Sequence, residues 1–409
     1  MNYVSVFKNA SYQTAARILL SGTGFIIAIL IARTFGANVY GDYIKITSFV
    51  ALFYLFCDFG INAIFLQQKE REYLFSYLLT LRLVIASALF VIANFIAIAL
   101  PYDASLGTGF SSFVKFGILI FSLELFVKSI MFSANAVFQK KLKYNFWTKA
   151  QGIGSLISII LVGLLVYLGQ SLYFILFAMI ISGFISAGVA LFYTNEKIFP
   201  LKINVKLSKE LVVGSLPLGL MLIFNLIYFR VDSLILASFK SSSEVGIYGL
   251  SYLFYDFLLA IPLFFSNSIY PILLEKKENI RDFFSLIKNY FIVYLGLSFL
   301  IIIPFWFMNP LFVLIRPEFS SSVVPFRILL LGLPFFFLTS LAQWALVALG
   351  ETKYLLGVYF LLMCANILFN FVFIPQYSYL ASATITIIGE ALVFVFLFVR
   401  IVVRRHGRN

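Results

Sequence analysis

The sequence predicts an all-α integral membrane protein: twelve transmembrane helices in two six-helix lobes related by a parallel pseudo-two-fold repeat. Three observations carry that expectation. The chain has twelve long apolar stretches, little charge, and basic residues gathered in alternate gaps. Of 409 residues, 62% are hydrophobic and 11% charged, with a mean hydropathy of +1.02, whereas soluble domains carry about 25% charged residues. The net charge of +13 does not point to nucleic acid, because the basic residues do not collect on one soluble module with interleaved aromatics.

In chain order, the stretches lie at 12–32, 41–66, 74–100, 112–138, 148–168, 171–193, 211–239, 246–274, 286–308, 323–347, 354–374 and 378–399. Each reaches the ~20 helical residues needed to cross a hydrocarbon core of ~30 Å. Lipid offers the backbone no hydrogen-bond partner, so each stretch must pair its N–H and C=O groups internally, as a helix does. The first run is too long for the apolar segment of a secretory signal and has no small-residue cleavage site after it, so it is expected to remain as the first span. The connections are too short for an extramembrane domain. The longest polar one, Thr194 to Glu210, separates six stretches from six and divides the chain into lobes at 1–200 and 201–409.

Alternate gaps and both ends hold 20 of the 30 basic residues, including Lys8, Lys69, Arg71, Lys140, Lys141, Lys143, the lysines of 197–209, Lys276, Lys277, Arg404, Arg405 and Arg408; the opposite gaps hold only Arg33, Lys240, Arg316 and Arg327. Lys and Arg in short loops are retained at the cytoplasmic face, which predicts a multi-pass membrane protein with both termini inside. Cys57 and Cys364 both fall inside predicted spans, against a disulfide framework. The single histidine, His406, belongs to the basic tail. No cofactor or metal set is expected.

An even number of helices returns the chain to its starting side, so the two halves would share one orientation. A gap-free spacing of 205 residues pairs Ala32 with Ala237, Gly41 with Gly246, Tyr43 with Tyr248, Phe49 with Phe254 and Glu70 with Glu275. Ionisable residues inside spans are the functional signal, since each costs a few kcal/mol unless it faces protein or water. The first half has Arg17, Lys45, Arg82, Lys115 and Lys128 against Asp58 and Glu124, a net +3; the second has Arg230 against Asp232, Asp256 and Glu390, a net −2. The five cations are candidates for an anionic headgroup, and Asp232, Asp256, Glu390, Asp58 and Glu124 for a coupling ion or for a cavity wall. Each has a plainer alternative. Arg17, Arg82 and Lys115 lie near enough to span ends to snorkel, and Glu124 with Lys128, one turn apart, can form an internal pair. Arg17, Ser21, Gly24 and Ala28 make a small, polar stripe facing either a packed seam or water. Tyr248, Tyr252 and Asp256 share one face, as do Ser382, Thr386 and Glu390, whereas Arg230 and Asp232 point nearly opposite ways. Lys45, Arg82, Lys128 and Asp232 are the preferred cavity residues.

The motifs Val6-Phe7-Lys8-Asn9, Ala32-Arg33, Phe35-Gly36, Tyr40-Gly41 and Asp58-Phe59-Gly60, with Pro217, Asp232, Val245-Gly246-Ile247-Tyr248 and Pro271 in the second half, resemble bacterial polysaccharide flippases of the O-antigen type. The resemblance implies a two-lobed transporter of the superfamily that also contains multidrug exporters. It implies movement of an undecaprenyl-pyrophosphate-linked oligosaccharide from the cytoplasmic to the periplasmic leaflet by alternating access through a cationic cavity. Membrane lipids, a coupling H+ or Na+ and polysaccharide-assembly proteins are the partners that go with it. Lipid II flippases usually carry two further helices, which counts against that substrate. Two other functions remain open: a cation-coupled multidrug exporter of the same fold, which would want acids in the binding lobe, and a membrane-bound sugar polymerase or ligase. The latter needs acid, base or metal-binding groups near water, and Asp103, Glu244 and Glu318 stand singly in the outer loops.

Overall fold

The computed structural model describes residues 3–69 and 72–406, so Glu70, Arg71 and Arg408 lie outside the described residues, as do the side chains of Lys8 and His406. Helices account for nearly all of it. They run α1 Tyr3–Asp58, α2 Ile61–Phe65, α3 Leu74–Ala99, α4 Ser112–Phe121, α5 Glu124–Lys140, α6 Tyr144–Tyr167, α7 Leu172–Thr194, α8 Val205–Phe239, α9 Ser242–Lys276, α10 Ile280–Trp306, α11 Asn309–Ile315, α12 Val323–Ala348 and α13 Thr352–His406. Among the described residues nine helical segments are long and apolar enough to cross a membrane. The chain is a multi-pass membrane protein.

Much of the exposed surface of these helices is apolar, and polar side chains occur among the buried ones. On α3, Val84, Val91, Phe95 and Ile98 are exposed while Ser76, Arg82 and Ala86 are buried. This reverses the pattern of a soluble helix, as expected where hydrocarbon is the solvent.

Several boundaries differ from the hydropathy reading. The first two apolar stretches form one helical run, α1, broken only at Gly36, whose φ of 81° and ψ of −178° are non-helical; the last two form α13, broken at Ser378 (φ 52°, ψ −140°). The stretch 112–138 is two helices, because the turn at Ser122 and Leu123 ends α4 and restarts the chain at Glu124. The polar segment after α3 closes as a two-residue hairpin, β1 Tyr102–Asp103 with β2 Thr108–Gly109. Its turn is held by the Asp103 carboxylate, which accepts from Ser105 N (2.9 Å), Ser105 Oγ (2.6 Å) and Leu106 N (3.3 Å). The Ser105 hydrogen bonds hold that carboxyl below the usual range.

The chain divides into two compact units, one of Met1–Phe35 with Asp42–Ile223, the other of Gly36–Gly41 with Phe224–Asn409. The first is held by α5 against α3 and α7, by α6 against α7, and by a core of Ile61, Phe65, Leu74, Leu78, Ala136, Leu207 and Leu211. The connection after α7 is tied into this unit: Ser76 Oγ donates to Pro200 O at 2.8 Å, and Lys197 pairs with Glu72 at 3.0 Å. In the second unit α12 is the central helix, packed against α9, α10 and α13. There the Gly36–Gly41 segment meets α9 backbone to backbone, since a Cβ on Gly41 would strike Ser242 O and one on Gly246 would strike Ala37 O.

Candidate functional site

The first unit places two of its ion pairs near the end of α1. Phe59 and Gly60 both take left-handed conformations, with φ of 46° and 70°. That corner stops α1 at Asp58 and restarts α2 at Ile61, so Asp58 and Asn62 face the same neighbour. The neighbour is Arg82 of α3, whose Nη2 donates to Asp58 Oδ1 (3.3 Å) and to Asn62 Oδ1 (2.7 Å). The corner nests against α8 just past Pro217: a Cβ on Gly219 would lie 2.8 Å from the Phe59 ring, and one on Gly60 2.9 Å from Leu218. The motif residues Asp58-Phe59-Gly60 and Pro217 thus serve one construction.

Arg82 is wholly buried, with its guanidinium 5.9 Å from the Phe132 ring centroid. A guanidinium has five N–H donors, and here Nε and Nη1 have no hydrogen-bond partner among the described residues. Arg82 does not snorkel. Beside it, in the first turn of α5, Glu124 Oε1 pairs with Lys128 Nζ at 3.0 Å, and the ammonium lies 5.3 Å from the Tyr54 ring. A carboxylate at a helix N-terminus is favoured by the helix dipole; the turn at Ser122 puts Glu124 there. Glu124 Oε2 is buried and unpartnered among the described residues, and α7 passes it so closely that a Cβ on Gly183 would come within 3.1 Å of that oxygen. Tyr54, over which Lys128 lies, precedes Asp58 by four residues of α1, which brings the two pairs to the same end of that helix as one cluster. Lys128 and Asp58 are its accessible members, with side chains 32% and 28% exposed. Two cations face two carboxylates, so the net +3 of the first half is not concentrated here.

The other candidates of this unit lie apart. Lys45 is fully buried and donates to Gly109 O at 2.6 Å, anchoring the hairpin. Lys115 reaches Ile98 O at 2.9 Å near the end of α3, where carbonyls lack helical partners. Arg17, Ser21 and Gly24 are exposed on α1 and only Ala28 of that stripe is packed, so a packed seam is not what the first three face.

The second unit has three acidic centres. Asp232 accepts from Tyr248 Oη at 2.6 Å and from Ser233 N at 2.7 Å. Glu390 is buried and accepts from Tyr228 Oη at 3.1 Å. Asp256 pairs with Arg230 at 2.9 Å and the guanidinium sits 5.6 Å from the Tyr252 ring, so Arg230 and Asp232, two residues apart on α8, both engage the face of α9 that carries Tyr248, Tyr252 and Asp256. No group of three or more His, Cys, Asp and Glu that could hold a metal occurs among the described residues. Sequence reasoning misses Asn62, Tyr54 and Tyr228. Tyr54 lies four residues before Asp58 on α1, the spacing of one helical turn, which is the signal that would find it; Asn62 lies beyond the break at Phe59 and Gly60, which helical spacing does not span. Tyr228 carries no such mark, since it joins Glu390 from 162 residues away.

The model of the polysaccharide biosynthesis protein family matches residues 6–277. The chain belongs to this family. No curated protein matches the sequence. Among solved structures, the fold is shared with the lipid II flippase MurJ in an inward closed conformation, with a TM-score of 0.75 at 16% identity over 96% of this chain and 87% of that one. It is also shared with an inward-facing multidrug resistance MATE family transporter, with a TM-score of 0.79 at 11% identity over 98% of both chains. A Vibrio cholerae MATE transporter gives 0.61 at 14% identity over 99% and 97%. The fold is therefore the all-α one of these membrane transporters.

Proposed function

We propose that this protein is a flippase that carries an undecaprenyl-pyrophosphate-linked oligosaccharide, an O-antigen unit or a similar repeat, from the cytoplasmic to the periplasmic leaflet of the bacterial inner membrane. Gly36 and Ser378 are read as turns between successive crossings. With α8 as a further span, this makes twelve crossings in two lobes of six, with both termini cytoplasmic. Unaided, a pyrophosphate with attached sugars would lose many kcal/mol of hydration in hydrocarbon; fixed cations replace part of that loss.

The observation that carries the reading is Arg82, a guanidinium inside the span with two nitrogens unpartnered among the described residues. Native proteins rarely leave buried donors unmet without a functional reason. In this account phosphate oxygens take up those donors together with Lys128, displacing Asp58 and Glu124. Lys45, Lys115 and Arg17 serve as outlying members of the basic path. The acids Asp232, Glu390 and Asp256 of the second unit bind a coupling H+ or Na+, and the two loads alternate in access. Entry of one such charge is worth ~2.3 kcal/mol per 100 mV.

One observation favours a second reading, a cation-coupled exporter: each cation of the cluster already has a carboxylate, and Glu124 Oε2 is free to accept among the described residues. Binding separates the two. Purified protein should bind a polyprenyl pyrophosphate, with affinity falling at least tenfold in Lys128→Glu, and should not bind an organic cation. Organic-cation binding abolished by Glu124→Gln, with no pyrophosphate binding, would replace the flippase reading with the exporter.

A further inference from the structure

The connection from α7 to α8, residues 195–204, has two unlike faces. One is fastened to the first unit. Ile198 packs against the core of Phe75, Leu79 and Val137. Ser76 Oγ donates to Pro200 O at 2.8 Å and accepts from Lys202 N at 3.2 Å, and the Lys202 ammonium lies 3.5 Å from the Tyr73 ring centroid. The segment is neither helix nor sheet, and exposure alternates along much of it, as in an extended chain whose successive side chains point to opposite sides. The second face carries Phe199, Leu201 and Ile203, and Val205 at the start of α8 continues the row. These four are 45–76% exposed, whereas Ile198, Lys202 and Asn204 between them are partly covered.

The row lies at the edge of the membrane, where α7 ends its span at Thr194 and α3 begins its own at Leu74. Contiguous exposed apolar side chains mark a surface that is covered by something else. The charges beside the row say by what. Residues 140–143 and 194–210 carry seven lysines against two glutamates. Lys141 is paired with Glu196 and Lys197 with Glu72, but Lys143, Lys206 and Lys209 are exposed and have no acidic partner among the described residues. Apolar side chains next to unneutralised ammonium groups are the mark of a segment that lies in the plane of an anionic lipid surface. Lipid is present at this level wherever the protein is inserted, so no second partner need be supplied.

We infer that the connection between α7 and α8 is an in-plane membrane anchor, with Phe199, Leu201, Ile203 and Val205 among acyl chains and Lys143, Lys206 and Lys209 among anionic phospholipid headgroups. Its inner face is tied to Ser76 and to the core around Phe75, so the lipid contact sets the depth of this end of the first unit. The anchor does not depend on what the protein transports.

Fluorescence quenching of the full-length protein in nanodiscs tests this. In a Cys57→Ala, Cys364→Ala background, nitrobenzoxadiazole is attached at Ile203→Cys or at Asn204→Cys. The discs are phosphatidylcholine with or without phosphatidylglycerol, and a lipid with an acyl-chain nitroxide is the quencher. With phosphatidylglycerol present, quenching should be about threefold greater at 203 than at 204, because the two positions face opposite ways. Omitting phosphatidylglycerol, or combining Lys206→Gln with Lys209→Gln, should lower quenching at 203 by about half or more. Equal quenching at the two positions would overturn the anchor, as would quenching at 203 that neither change alters in variants that elute as wild type. A probe at 203 shielded from both the nitroxide lipid and aqueous iodide would also overturn it, since protein would then cover the row.

Discussion

Arg82 is the residue on which the interior of the first unit turns. Removing one member of a buried ion pair leaves the other uncompensated and costs about 3–5 kcal/mol, whereas replacing both with apolar or neutral groups is often tolerated. Arg82→Met should therefore lower the melting temperature in detergent markedly, toward the lower end of that range because Asp58 is partly exposed. Arg82→Met with Asp58→Asn should recover most of the loss while remaining unable to bind pyrophosphate. Recovery of binding in the double variant would remove Arg82 from the headgroup site. A second prediction concerns Glu351, between α12 and α13, which pairs with Arg400 at 2.8 Å and with Arg404. Burial pushes this carboxyl up, but the two guanidiniums outweigh it and hold it below its ordinary 4.5. A depressed carboxylate stabilises the fold fully above its unfolded pKa and loses that contribution as pH falls through the folded value. Melting of the wild type should thus drop below about pH 4.5 more steeply than that of Glu351→Gln; parallel curves would show that the clamp adds no stability.

At the scale of elements, the crossing of the Gly36–Gly41 segment with α9 permits no side chain, because Gly41 and Gly246 each meet opposing backbone. Gly41→Ala or Gly246→Ala should sharply reduce folded protein in the membrane, while Gly24→Ala, whose Cβ would meet nothing within 4 Å, should be neutral. Comparable yields from all three would contradict the close approach. Hydropathy alone marks the helices well because hydrocarbon leaves the backbone no other solution. It does not mark the break between α4 and α5, since Ser122 and Leu123 sit comfortably in either a helix or a turn. Nor does it mark Gly36 and Ser378 as single-residue breaks within continuous helical runs. Of the site, the pair Glu124 and Lys128 is readable from helical spacing, whereas the engagement of both Arg230 and Asp232 with one face of α9 is not. The engagement of Lys45 with the hairpin carbonyl of Gly109 and of Arg82 with Asn62 is not, because both depend on which helices become neighbours.

For the whole molecule, the account joins a headgroup site in one unit to acids in the other. Coupling predicts that Glu390→Gln and Asp232→Asn each abolish the response of transport to an imposed proton or sodium gradient while leaving pyrophosphate binding intact; a response unchanged in both would assign these acids to structure alone. The family of the chain and its fold are established by the match over residues 6–277 and by the shared architecture of flippases and exporters. The cargo is what the cluster at the end of α1 must decide. Translocation of a fluorescent undecaprenyl-pyrophosphate oligosaccharide in proteoliposomes is the direct measurement. The account predicts transport by the wild type, near-wild-type transport by Lys128→Arg, and at least a tenfold loss in Lys128→Glu with insertion unchanged. Full transport by Lys128→Glu, or none by the wild type with a membrane potential imposed, would contradict it.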